Sequence, residues 1–126
     1  RDGLETDRHN LLNPKDKRTA YITKKLDGAR GPVIAVSDYM RAVQDQIAPW
    51  VEQEFVSLGT DGFGLSDTRG ALRRHFKVDA ESIVIATLAS LAKSGEVKQS
   101  VVQDAINKYQ INDINAADPG RTEGPG

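Results

Sequence analysis

The chain has 126 residues, enough for one domain or part of one. Its 38% hydrophobic and 28% charged residues are the mix of a soluble globular chain, and 17 lysines and arginines against 18 acids lack the basic excess of a dedicated nucleic-acid binder. Without cysteine there is no disulfide scaffold and no thiolate metal site, which suits a reducing cytoplasm. No run approaches the roughly 20 apolar residues of a membrane span, and no signal peptide is expected from the opening residues. It opens at Arg1-Asp2-Gly3 rather than at a methionine, so a piece of a longer polypeptide is expected.

Residues 3–13 form the first expected helix, with Leu4, Leu11 and Leu12 near one face and Pro14 at its end. Thr19 is the candidate cap of a second short helix in which Tyr21, Ile22 and Leu26 share a side. Gly28 and Gly31-Pro32 close it. Val33-Ile34-Ala35-Val36 is apolar without alternation, which suits a strand covered on both faces in a parallel sheet. Ser37 and Asp38 are candidate N-caps for the next helix. There Met40, Val43 and Ile47 fall at helical spacing, with Arg41, Gln44 and Asp45 facing outward. Pro49 stops that helix, and Trp50-Val51 are expected to pack the corner.

Glu54 to Leu58 is the second strand. It runs into Gly59-Thr60-Asp61-Gly62-Phe63-Gly64-Leu65-Ser66-Asp67-Thr68-Arg69. The three glycines allow a sharp turn with positive φ. Ser66 stands at the expected cap of a 67–76 helix, with Asp67 against the positive end of its dipole. Asp79 caps the next helix, 80–94. Its only polar line, Thr87, Ser90 and Ser94, is uncharged, so burial on most sides is expected. A last, amphipathic helix covers about 99–110. Ile111 and Ile114 are placed to dock behind it, and disorder is expected over 115–126. Two strands make a poor sheet alone, because sheets usually have about four to six. The missing neighbours are expected from sequence before Arg1, from another chain or from self-association.

The candidate chemistry is sparse. His9 and His75 are far apart and share no metal-ligand spacing, and a structural or surface role fits both. The glycine stretch is neither a Gly-x-Gly-x-x-Gly fingerprint nor a Walker loop, since no Gly-Lys-Ser/Thr follows. Within it Asp61 suits a loop brace accepting backbone N–H groups, and Phe63 an anchor across an interface. Arg69, Arg73 and Arg74 form a basic surface on one helix, ordinarily a solvated face, with phosphate or acidic-partner binding as the sharper alternative. Asp38 and Tyr39 lie past the first strand, where parallel-sheet sites gather. Residues and spacing alone lead to part of a soluble α/β domain without a complete catalytic constellation.

Ser37-Asp38-Tyr39-Met40, the block from Leu58 to Arg69, and Leu72-Arg73-Arg74-His75-Phe76-Lys77-Val78-Asp79 resemble the carboxyl end of homodimeric-type pyruvate dehydrogenases, the decarboxylating thiamine-diphosphate components. Arg8-His9-Asn10-Leu11-Leu12-Asn13-Pro14 and Tyr21-Ile22 are similar to the segment that precedes it, and the likeness runs to about Asn112. The resemblance implies residues 1–114 of a partial, three-layer transketolase C-terminal-like α/β domain with a mostly parallel sheet whose first strands lie upstream.

It also implies pyruvate decarboxylation with thiamine diphosphate and magnesium bound by upstream domains, and transfer of the two-carbon unit to a lipoyl group on dihydrolipoyl acetyltransferase. A homodimer partner, the rest of the same polypeptide and a cytoplasmic location come with it; a nucleic acid or membrane partner does not. No catalytic, cofactor-binding or metal residue carries over. Asp38, Tyr39, Asp61, Gly62, Phe63, Gly64 and Ser66 are left as structural or interface positions. Lys98 departs from the family, where an acidic cap is commoner. Two alternatives stand beside this: a non-catalytic α/β module recruiting a partner through 59–76, and the matching domain of a transketolase.

Overall fold

The computed structural model describes residues 1–62 and 65–117. In chain order these are α1 (Asp2–Leu12), α2 (Tyr21–Leu26), β1 (Val33–Val36), α3 (Arg41–Asp45), a 3-10 turn (Ala48–Trp50), β2 (Phe55–Leu58), α4 (Arg69–His75), α5 (Ala80–Lys93), α6 (Gln99–Tyr109) and a second 3-10 turn (Asn115–Ala117). Both expected strands form and pair in parallel, Val33 opposite Phe55 through to Val36 opposite Leu58. Helix α3 packs on β2, α5 on β1, and α5 against α6. The last turn, in the stretch expected to be disordered, lies against α4; residues 118–126 fall outside the described chain.

Trp50 ties the first two helices to the strands. Its ring lies over Gly3 of α1, where a Cβ would stand 2.3 Å from the ring atoms. Its Nε1–H donates to Asp7 Oδ2 at 3.0 Å, and its carbonyl accepts from the Thr23 hydroxyl at 2.5 Å. One aromatic corner therefore fixes both helices, as its place after Pro49 suggested.

Several caps differ from expectation. Thr19 does not cap α2; Asp2 Oδ2, from the start of α1, accepts the Tyr21 N–H at 2.6 Å. Neither Ser37 nor Asp38 caps α3. Ser37 Oγ accepts from Tyr39 N–H at 3.0 Å, holding the turn before the helix. Helix α4 starts at Arg69, with Thr68 Oγ1 accepting from Ala71 N–H in place of Ser66. Asp79 caps α5 as expected, accepting from Ser82 N–H at 3.0 Å. Helix α6 begins at Gln99 with Lys98 at its cap and no side-chain bond there.

The second correction concerns burial. Among the described residues, Ala20, Ala71, Val102 and Ile111 are the buried hydrophobic residues. On α5 the buried residues are Ser82 and Ser90, the latter from its expected polar line, while Val84 is exposed and most of the other side chains are only half-buried. Leu4, Leu11 and Leu12 of α1 are exposed, as are Val43 of α3 and Met40 and Ile47 beside its two ends. Val36 at the end of β1 is exposed too, so β1 is not covered on both faces.

Arg74 departs furthest from the expected basic surface, being 2% exposed. Its Nε–H donates to Asp79 Oδ2, and Glu81 Oε2 lies 3.4 Å from its Nη2. Its Nη1–H reaches the carbonyls of Tyr109 (2.9 Å) and Gln110 (3.3 Å). Lys77 Nζ donates to the next carbonyl, of Ile111. The last carbonyls of a helix lack intrahelical partners and carry the negative end of its dipole, so two cations suit them. Arg74 thus joins the capped start of α5 to the end of α6, and Ile111 docks there as expected.

Candidate functional site

Parallel register brings the ends of β1 and β2 to one end of the sheet, the position where open α/β sheets build their sites. Ser37 N–H donates to Leu58 O at 3.1 Å, and Thr60 N–H donates to Tyr39 O at 2.9 Å. The two exits therefore run side by side past the strands. Gly59 makes this possible: a Cβ there would stand 2.6 Å from Tyr39 O and 2.9 Å from Arg41 N, both backbone atoms. Gly62 has φ +98°, where other residues are strained.

Asp61 closes the corner. Its Oδ1 accepts from Arg41 N–H at 2.9 Å and its Oδ2 from Arg41 Nε–H at 2.5 Å. The carboxylate is the cap that α3 lacks locally, delivered from twenty residues downstream. The Arg41 backbone N–H, then its guanidinium, hold the Asp61 carboxyl below its ordinary pKa; the hydrogen bond to Asp61, then its charge, raise that of Arg41. Behind the cap, Gln44 Nε2 lies 2.8 Å from Ala35 O, Ser57 Oγ and Leu58 O, joining α3 to both strands.

Of the sequence candidates, Asp61, Gly62 and the Tyr39 backbone meet here; the Tyr39 ring is 73% exposed. Asp38 and Ser66 are exposed and make no hydrogen bond or ion pair with a described residue. Phe63 and Gly64 lie outside the described residues. Arg41 and Gln44, read from the sequence as facing outward, instead turn to Asp61 and to both strands, and Gly59, expected only as a turn glycine, is needed for the close approach of the two exits. The signal for Arg41 was only the acid–base match with Asp61.

The corner is an architectural joint. Both Asp61 oxygens are engaged by Arg41, and no group of three or more His, Asp or Glu among the described residues could hold a metal ion. His9 is used locally, its Nε2 2.8 Å from Asp16 O, and His75 packs edge-on against Phe76 at 4.9 Å. These donors do not fit a magnesium or thiamine diphosphate site. No described helix is long and apolar enough to cross a membrane.

Comparison with known proteins places this joint. The profile of the transketolase-like TK C-terminal domain matches residues 8–79. The chain is 52% identical over 118 residues to the pyruvate dehydrogenase E1 component of Mycolicibacterium smegmatis, covering 93% of this chain and 13% of that protein. It is 51% identical over 127 aligned residues to the protein of that name from Mycobacterium tuberculosis, covering 100% of this chain and 14% of the relative. For the one from Escherichia coli K12 the figures are 44% over 114 residues, 89% and 13%. The chain therefore spans about one seventh of the length of these relatives. The profile match takes in both strands, the Asp61 corner and the helix cap at Asp79, and the chain belongs to the transketolase-like C-terminal domain family.

Proposed function

We propose that this chain is part of a pyruvate dehydrogenase E1 component and serves that enzyme as a structural segment. The observation that carries this is the 52% identity across 93% of the chain to a protein of that name. The full polypeptide then decarboxylates pyruvate and passes the two-carbon unit to the lipoyl group of dihydrolipoyl acetyltransferase. Thiamine diphosphate supplies the electron sink for decarboxylation, with magnesium, and both belong to parts of the polypeptide outside this chain. This segment contributes shape. Asp61, Arg41 and Gly59 fix the strand-end corner, while Arg74 fixes the helical layer behind it. The open apolar residues of α1 and α3 suit contact with the rest of the polypeptide and with a dimer partner, in the cytoplasm.

The test is turnover by the full-length polypeptide with thiamine diphosphate, magnesium and pyruvate, coupled to purified acetyltransferase. Cofactor-dependent carbon dioxide release and lipoyl acetylation are expected, and none from the 126-residue chain alone. Ketol transfer between sugar phosphates instead would make this the domain of a transketolase. Full-length protein that turns over neither substrate would leave an interaction module.

A further inference from the structure

Next to the Asp61 corner, a crevice of about 280 Å³ lies between the strand exits and α4. Arg69 and Arg73 line one side of it. They sit four residues apart, so one turn of helix brings their side chains to the same face. Both are exposed, and neither side chain forms a hydrogen bond or ion pair with a described residue. Arg74, by contrast, is consumed by Asp79, Glu81 and the end of α6. Leu72 and Phe76, half-buried, give the crevice an apolar wall. Asp38 and Thr60 face it from the ends of β1 and β2.

Two free guanidinium groups beside an apolar wall suit one carboxylate with an apolar body, because each fork can donate two parallel N–H bonds to it. The Asp38 charge disfavours polyanions such as nucleotides. The volume falls just below the roughly 300–1,000 Å³ of most small-ligand pockets, so the ligand is about the size of a single-ring acid. We propose that this crevice binds a small apolar carboxylic acid, its carboxylate between Arg69 and Arg73 and its body against Leu72 and Phe76. Such binding is independent of the reaction proposed above and would stand if that reaction failed.

Titration of 3-phenylpropionate into the full-length polypeptide, followed by calorimetry and saturation-transfer NMR, tests this. Saturable binding is expected, weakened about tenfold or more by Arg69→Gln and by Arg73→Gln. The uncharged 3-phenyl-1-propanol should bind about tenfold more weakly as well. Asp38→Asn should tighten binding severalfold, a gain that misfolding cannot produce. No saturable binding to the unaltered protein would overturn the proposal. So would a double Arg69→Gln, Arg73→Gln variant that binds equally well, or an Asp38→Asn variant without the gain.

Discussion

Two arginine–aspartate pairs tie the elements of this chain together, in opposite surroundings. Arg41 and Asp61 close the strand-end corner with side chains 55% and 44% exposed. Arg74 and Asp79 join α4 to α5 with side chains 2% and 10% exposed. At the corner, either partner released from the other is rehydrated at once. Its lasting contribution is geometric, an acceptor placed on the Arg41 N–H at the start of α3. At the buried junction, removing one partner strands the other without water. The same chemistry is thus an adjustable clasp in one place and a support for three helices in the other.

The largest expected effect breaks the buried side of this contrast. Arg74→Ala should cost the full-length protein about 3–5 kcal/mol, since it leaves Asp79 and the final carbonyls of α6 without their cation. Arg74→Lys should recover only part, because one ammonium cannot fork between Asp79 and the carbonyls. Asp61→Ala should cost clearly less. Urea unfolding of the three variants gives the order; equal losses for Arg74→Ala and Asp61→Ala would dissolve the distinction.

Smaller effects separate packing from conformation within the corner. Gly59→Ala places a Cβ against two backbone atoms that no side-chain movement relieves, for about 1–3 kcal/mol. Gly62→Ala meets no described residue within 4 Å, so its φ of +98° sets the expected cost, about 1 kcal/mol. Melting temperatures should fall more for Gly59→Ala. The reverse order would mean that the corner relaxes around a Cβ and that turn conformation governs it.

Which parts were legible in the sequence follows the range of the forces involved. Val33–Val36 and Phe55–Leu58 were visible because short apolar runs favour strands whatever surrounds them. Asp79 was visible because it caps the helix that it begins. Ser66 was displaced by Thr68 only because α4 starts two residues later than expected. Thr19, Ser37 and Asp38 were misassigned for the converse reason. A local rule finds a plausible oxygen nearby, whereas Asp2 and Asp61 supply acceptors from 19 and 20 residues away. Arg74 looked like its exposed neighbours because helical periodicity cannot reveal that the end of α6, 35 residues on, will meet it. Of the candidate site, Asp61 as an acceptor of a backbone N–H was legible, but its donor is Arg41 of α3 and not the loop's own backbone; Arg41 was not legible, because a charged residue at the start of a short helix ordinarily faces water.

The smallest predicted effect, in pH and salt, compares the two aspartates directly. Asp61 is held below its ordinary pKa by Arg41's N–H and guanidinium. For Asp79, burial pushes the pKa up, but hydrogen bonds from Ser82 and Arg74 outweigh it, and the result is again a lowered pKa. A carboxylate whose folded pKa is depressed stabilises the protein above its unfolded pKa, about 3.9, and that stability is lost as pH falls through the folded value. The melting temperature should therefore hold from neutral pH to about 4–5 and decline below it. Salt should distinguish the two contributions, because counterions screen exposed charges well and buried pairs poorly. Raising ionic strength to about 1 M, where the screening length is about 3 Å, should shrink the part of the acid decline that Asp61→Asn abolishes, leaving the share held by the hydrogen bond to Arg41 N–H. The part abolished by Asp79→Asn should persist. Comparable salt sensitivity in both would place the Arg74 junction in contact with water and reduce the two corners to one kind.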